Sequence, residues 1–140
     1  MTIPLSPAAG GPQRAEGATA YERMGGHETF KRLVDEFYAG VADDEPLRAI
    51  YPEEDLGPAN DRLRMFLEQY FGGPKTYGET RGHPRLRMRH APFAVTPAQR
   101  DRWLRHMMHA ADVVALPEAE DAELRGYLRY AADFMVNAAD

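Results

Sequence analysis

The sequence predicts an all-α fold in one domain, and three observations lead to this prediction. Apolar residues recur at spacings of three and four in four segments, which is the period of a helix buried on one face. Glycine and proline stand at the ends of these segments, where they start or stop helices. The length of 140 residues suits one domain with one core.

The first two long helices are predicted from two apolar stripes bounded by glycine and proline. Gly25-Gly26 separates the first from a short helix around Tyr21, and its stripe is Phe30, Leu33, Val34, Phe37, Tyr38 and Val41. The second starts at Gly57-Pro58, with proline in the first turn, and stops at Gly72-Gly73-Pro74. Its stripe is Leu56, Ala59, Leu63, Phe66, Leu67 and Tyr70.

The last two helices are predicted on either side of Pro117. Thr96-Pro97-Ala98-Gln99 has the pattern of a capping box. It starts a helix whose stripe is Trp103, Leu104, Met107, Met108, Ala111 and Val114. The final stripe is Leu124, Tyr127, Leu128, Ala131, Phe134 and Met135.

A long link rich in glycine and proline joins the second and third long helices, from Gly72 to Pro92. Its end alternates apolar residues and arginines with the period of a strand. An isolated strand is not stable, and the sequence offers no partner strand. We therefore expect a loop with a short helical turn before Pro92. Its length is typical of a functional segment.

Composition excludes several classes of protein. The chain has no cysteine, so it can form no disulfide and no thiolate site, which fits a cytoplasmic location. No run approaches the roughly 18 apolar residues of a membrane span. The formal net charge of −5 disfavours a general nucleic-acid binder. Residues 1–18 lack the pattern of a secretory signal, and their prolines and glycines predict a disordered extension before a domain at 19–140.

The most informative segment ends the long link and contains His90. The histidine follows alternating arginines and precedes Ala91-Pro92-Phe93, and the lone tryptophan, Trp103, comes in the next helix. Imidazole is an axial ligand of haem iron, and arginine pairs with carboxylates such as the haem propionates. This pattern favours a haem site in which His90 is the metal ligand.

Together with the phrases Arg62-Leu63-Arg64-Met65-Phe66-Leu67-Glu68-Gln69-Tyr70 and Gly82–Phe93, these residues resemble a truncated haemoglobin of the second group. The resemblance runs from about Tyr21 to about Asn137. It implies a two-over-two helical globin sandwich that holds haem b, iron protoporphyrin IX, with His90 as the proximal ligand. Phe71 departs from relatives that have tryptophan there, and the N-terminal extension lies outside the pattern.

The resemblance also implies roles for other residues of the pocket. Tyr38, Tyr51 and Trp103 correspond to distal hydrogen-bonding residues, Ala59 to the position of a distal histidine in many globins, and Leu63 to a residue over the haem. Phenol and indole groups donate hydrogen bonds and have large apolar bodies. The propionate partners implied are Arg62, Tyr77, His83 and Arg89. The other haem contacts implied are Phe66, Leu86, Phe93 and Met107.

Structural roles remain the alternative for several of these residues. Arg85 and Arg87 also fit a solvated face, and buried tyrosines often bond to backbone. His106 and His109 lie at helical spacing, but no Glu-x-x-His motif accompanies them, so we expect surface residues there.

The resemblance implies reversible O2 binding at ferrous iron, for delivery, transport or sensing. One alternative is a haem redox enzyme, acting as a nitric oxide dioxygenase or on peroxide, which needs a separate reductase. Another is a haem-free helical interaction module. A homodimer is compatible with the resemblance, and no membrane or nucleic-acid partner is expected.

Overall fold

The structure is a computed structural model that describes residues 18–82 and 94–140. Most of the predicted extension and the end of the long link, residues 83–93, lie outside this description. The regular structure of the described residues is helical. In chain order the helices are α1 (Ala20–Met24), α2 (Gly26–Ala42), α3 (Glu45–Arg48), α4 (Gly57–Tyr70), α5 (Thr76–Arg81), α6 (Pro97–Val114) and α7 (Glu118–Met135).

The four long predicted helices are confirmed as α2, α4, α6 and α7, and the short helix at Tyr21 is α1. Gly25 separates α1 from α2 with a φ of 111°, a left-handed conformation that glycine adopts at low cost. Thr96 caps α6 by accepting a hydrogen bond from the Gln99 backbone N–H at 3.1 Å. The Gln99 side chain does not complete the capping box. Its amide nitrogen donates to the Pro46 carbonyl at 2.8 Å, and its amide oxygen accepts no hydrogen bond from the described residues.

Two helix pairs, α2 with α4 and α6 with α7, form the body of the molecule. Helix α2 packs mainly against α6 and α4, and α6 also packs against α7. The apolar faces of these four helices meet in one core, where Phe30, Leu33, Phe37, Leu67 and Leu124 are at most 1% exposed. This packing follows from the predicted stripes, since each helix can bury only one face.

Helices α3 and α5 are short and lie between the long ones. Asp44 caps α3 through the Leu47 backbone N–H, and Pro46 stands in its first turn. The Asp44 carboxylate also meets the His106 ring at 2.8 Å and Arg102 at 3.0 Å, both on α6. Of the two histidines expected at the surface, His109 is exposed, whereas His106 is partly buried. Its side chain is 20% exposed and joins α6 to the start of α3.

None of the helices in the described ranges combines the length and the apolar character that a bilayer span requires.

Candidate functional site

A cavity of about 440 Å³ lies between the two helix pairs. This volume falls within the ~300–1,000 Å³ of small-molecule sites, and apolar side chains provide most of the wall. Helices α2, α4, α6 and α7 all contribute, together with the segment between α3 and α4. The residues that line it include Tyr38, Tyr51, Pro52, Glu53, Ala59, Arg62, Leu63, Phe66, Tyr77, Arg81, Trp103, Tyr127, Leu128, Ala131, Ala132 and Met135.

The cavity brings together most of the site residues that the sequence predicts. All five predicted distal residues line it, namely Tyr38, Tyr51, Ala59, Leu63 and Trp103. Arg62, Phe66 and Tyr77 line it as well, whereas Met107 is fully buried but is not one of the lining residues. The remaining predictions, His83, Leu86, Arg89, His90 and Phe93, lie outside the described residues.

An aromatic cluster forms one side of the cavity. The Phe37 ring lies 4.8 Å from Tyr38 and 5.3 Å from Trp103, between centroids, and meets both edge to face. Tyr38 meets Tyr51 in the same way at 5.7 Å. Edge-to-face contacts fix ring orientation as well as burying area. The cluster therefore gives the polar ends of three side chains defined positions inside an apolar site.

The polar ends of this cluster face one another. Burial raises the pKa of Tyr51 to about 12, although the neighbouring Tyr38 hydroxyl and Trp103 indole N–H act against that rise. Burial also raises the pKa of Tyr38 strongly. The Tyr38 hydroxyl lies 3.4 Å from the Ala59 carbonyl oxygen. Both phenols are therefore neutral at physiological pH and can donate hydrogen bonds.

The segment that carries Tyr51 is held by Arg48, which sequence reasoning did not single out. Its guanidinium donates to three backbone carbonyls, those of Tyr51 at 3.0 Å, Glu53 at 2.6 Å and Glu54 at 2.9 Å. An arginine is suited to this because it has five N–H donors in a rigid plane. The irregular segment between α3 and α4 is thus fixed without secondary structure of its own.

Charged groups at the cavity wall come from three elements. Arg62 on α4 donates from Nη2 to both carboxylate oxygens of Glu53, at 2.9 and 3.0 Å. Arg81 at the end of α5 lies over the Tyr77 ring, 5.8 Å from its centroid. Tyr77 is 4% exposed and packs edge to face on Phe66. These cations provide partners for a carboxylate at this part of the wall.

Helix α7 contributes a wall that the sequence analysis assigned only to the core. Leu128, Ala131, Ala132 and Met135 line the cavity, and so does Tyr127, whose ring stacks on Tyr70 at 3.8 Å. The Tyr127 hydroxyl is buried, and no acceptor or donor pairs with it in the described ranges. Its pKa is raised by burial. A stripe of apolar residues has the same pattern whether it faces a core or a cavity, so the sequence held no signal that these α7 residues line a cavity.

The described walls fit a haem. They combine an apolar interior, neutral hydrogen-bond donors in an aromatic cluster, and arginines that can meet carboxylates. In residues 18–82 and 94–140, no group of three or more His, Asp or Glu side chains could hold a bare metal ion.

Comparison with known proteins identifies relatives along nearly all of the described chain. The sequence model of a family described as Bacterial-like globin matches residues 19–137. The Group 2 truncated hemoglobin YjbI of Bacillus subtilis (strain 168) is 44% identical over 121 residues, which cover 86% of this chain and 89% of that protein.

Solved structures show the same likeness in three dimensions. A thermostable hemoglobin from the actinobacterium Thermobifida fusca is 60% identical with a TM-score of 0.85, covering 86% of this chain and 98% of that one. A truncated oxygen-avid haemoglobin from Bacillus subtilis is 42% identical with a TM-score of 0.81, covering 86% and 100%.

Proposed function

The chain belongs to the bacterial-like globins, as a group II truncated haemoglobin with the two-over-two fold, and on this premise we propose that it binds haem b and reversibly holds O2. When bound in the cavity, the haem would supply a ferrous iron that takes up diatomic ligands. The observation that carries the proposal is the convergence of Tyr38, Tyr51 and Trp103 in one apolar cavity.

The distal residues would hold the ligand by hydrogen bonds. A diatomic ligand that gains negative charge is stabilised by N–H and O–H donors aimed at it in a dry site. The indole of Trp103 can only donate, and the two phenols keep their protons at physiological pH, as a phenol with the ordinary pKa of 10.0 already does. The short side chain of Ala59 leaves room at the edge of the cavity but supplies no hydrogen bond.

Other residues would hold the cofactor. We assign Arg62 and Tyr77 to its carboxylates because both line the cavity. The sequence adds His83 and Arg89 to these, and Leu86, Phe93 and Met107 to the apolar contacts. His90 is proposed as the protein ligand of the iron, on the motif that ends in Ala91-Pro92-Phe93.

The proposal is tested by spectra of the wild type and of the His90→Ala variant. The wild type should show a Soret band and a reversible change between its reduced and O2-bound spectra. The variant should lose haem, or hold it loosely until imidazole is added, because its iron lacks the protein ligand. Wild-type spectra and haem retention in the variant would remove His90 from this role, and a wild type without a Soret band would leave the haem-free interaction module.

The same cluster favours a second function, a redox enzyme acting on nitric oxide or peroxide. Two phenols and an indole that all donate would slow release of O2, which suits a protein that keeps O2 for a reaction. Sustained turnover would need electrons from a separate reductase. Consumption of nitric oxide over many turnovers with a reductase present would favour this function over reversible binding.

A further inference from the structure

Arg48 holds the backbone of Tyr51 from both sides. The Tyr51 backbone N–H donates to the Arg48 carbonyl at 3.1 Å, and the Tyr51 carbonyl accepts from Nη1 of the Arg48 guanidinium at 3.0 Å. Nη2 of the same guanidinium donates to the carbonyls of Glu53 at 2.6 Å and Glu54 at 2.9 Å. Because the guanidinium is a rigid plane, these bonds fix the backbone before and after Pro52 in one arrangement.

The segment that Arg48 holds depends on side chains for its position. Residues 52–56 belong to no helix or strand, so no regular ladder of hydrogen bonds defines their path. Pro52 has no backbone N–H to donate. Buried backbone groups need partners from elsewhere in such a segment. Arg48 supplies partners for three of its carbonyls, beginning with that of Tyr51.

Helix α3, which carries Arg48, is itself fixed on α6. Gln99 donates to a backbone carbonyl in the first turn of α3 at 2.8 Å. Asp44, the N-cap of α3, meets Arg102 at 3.0 Å and His106 at 2.8 Å. Trp103 lies on α6 among these three residues, four positions after Gln99 and on the same face. Arg48 therefore connects the segment of Tyr51 to the helix that carries Trp103.

The connection bears on the cavity because the two side chains meet there. The Tyr51 hydroxyl lies next to the Tyr38 hydroxyl and the Trp103 indole N–H, and all three residues line the cavity. Hydrogen bonds span donor–acceptor distances of only about 2.5–3.2 Å. A shift of the Tyr51 backbone by roughly an ångström is therefore enough to remove its hydroxyl from such a bond.

We propose that Arg48 is a positioning residue of this site, which keeps the Tyr51 hydroxyl within hydrogen-bonding distance of a molecule bound beside Trp103. That the molecule is a diatomic ligand of haem iron rests on the proposed function. The placement of Tyr51 beside Trp103 does not depend on it.

The test is a double-mutant cycle of Arg48→Met with Tyr51→Phe, measured as O2 dissociation from the haem-loaded proteins. Arg48→Met should release O2 about two- to tenfold faster, the factor that one hydrogen bond between neutral groups contributes. In the Tyr51→Phe background the same change should have no further effect, because the hydroxyl that Arg48 positions is already absent. A purely structural role of Arg48 predicts equal factors in both backgrounds.

Arg32→Met is the matched control. Arg32 on α2 also donates to a backbone carbonyl of another helix, that of Val113 at 3.3 Å, and its loss should leave O2 release at the wild-type rate. Arg48→Lys keeps the charge but not the planar pair of nitrogens, so it should release O2 faster than the wild type by a smaller factor than Arg48→Met. Circular dichroism melting identifies any variant that is unfolded. If Arg48→Met is unfolded, the cycle is run with Arg48→Lys.

A second measurement uses the full chain without haem. Trp103 is the only tryptophan in the chain, so quenching of its fluorescence by neutral acrylamide reports how well its neighbours cover it. The quenching constant should rise in Arg48→Met, because a displaced Tyr51 no longer covers the indole. It should stay near the wild-type value in Arg32→Met, and also in Tyr51→Phe, where the ring remains in place.

Equal factors for Arg48→Met in the two backgrounds would overturn the proposal. So would wild-type values of both O2 release and quenching in a folded Arg48→Met protein. Absence of a Soret band in the wild type would overturn the haem proposal alone, because quenching would still measure the placement of Tyr51 beside Trp103.

Discussion

Trp103 is the residue on which the strength of ligand binding should depend most. Its indole N–H donates toward the Tyr51 oxygen, and its ring is fixed edge to face against Phe37. The indole has a single N–H, so it can orient the neighbouring phenol or stabilise a bound ligand, one at a time. The tyrosines can act as donors to the ligand or to each other, which makes them partly exchangeable.

Trp103→Phe should release O2 about ten to a hundred times faster. A hydrogen bond to a charged group contributes roughly 1.5–3 kcal/mol, and about 1.4 kcal/mol corresponds to a factor of ten. Tyr38→Phe and Tyr51→Phe should have smaller effects while Trp103 remains. Stopped-flow O2 dissociation on the three variants measures this. An unchanged rate in Trp103→Phe with a large change in Tyr38→Phe would assign the main role to the tyrosine.

The raised pKa of Tyr51 predicts a loss of stability in alkali. Its pKa of about 12 in the fold exceeds the ordinary value of 10.0, so the folded state keeps a proton that the unfolded state releases. The corresponding stabilisation is complete below pH 10 and is lost as pH rises toward 12. Urea unfolding at pH 9, 10 and 11 should show a falling free energy. Tyr51→Phe should flatten this slope, and an identical slope would contradict the assignment.

The sequence predicted the chemistry of individual residues better than their pairing. Tyr38, Tyr51 and Trp103 line one cavity as expected, because the motif residues project from the apolar faces of α2 and α6 or from the adjoining segment. The partner of Arg62, Glu53, was not predicted. It lies in an irregular segment whose path is held by Arg48. Such a segment has no periodic pattern that could be recognised in the sequence.

At the scale of secondary structure, α3 shows how a short helix depends on its surroundings. Four residues are too few to form a stable helix alone. The Asp44 carboxylate caps its first turn and binds His106 and Arg102 of α6. This is why periodicity found the four long helices and missed α3 and α5. The short helices depend on contacts between residues far apart in sequence.

Asp44→Ala should destabilise the fold by about 0.5–2 kcal/mol, the usual effect of removing an N-cap. Asp43→Ala, the adjacent exposed residue, is the matched control and should have little effect. The pKa of Asp44 is lowered, chiefly by the hydrogen bond from His106. Its contribution is therefore present above the ordinary carboxyl pKa and is lost as pH falls through the lowered value. Urea unfolding at pH 7 and pH 3 should show that the difference in unfolding free energy between this variant and the wild type is smaller at pH 3. A larger difference at pH 3 would contradict the prediction.

At the scale of the whole molecule, the helical body should fold without the first residues. Residues 1–17 contain three prolines and three glycines and little to bury, so their composition cannot offset the entropy of ordering. Deleting them should leave the Soret band and the melting temperature nearly unchanged.

A longer deletion, of residues 1–19, is the control for this experiment. It also removes Thr19, which forms a capping box with Glu22 at the start of α1, so the melting temperature should fall. A large fall with the shorter deletion would show that residues 1–17 pack on the domain.

The cavity between the helix pairs has a thermodynamic consequence for the chain in a cell. Its walls come from α2, α4, α6 and α7, which come together only in the fold, so an unfolded chain has no such binding site. A molecule that binds only the folded form stabilises it by mass action, by about 2.7 kcal/mol at a hundred times its dissociation constant. The fraction of chains that survive proteolysis would then follow the supply of haem, and the amount of this protein would be set partly by haem synthesis.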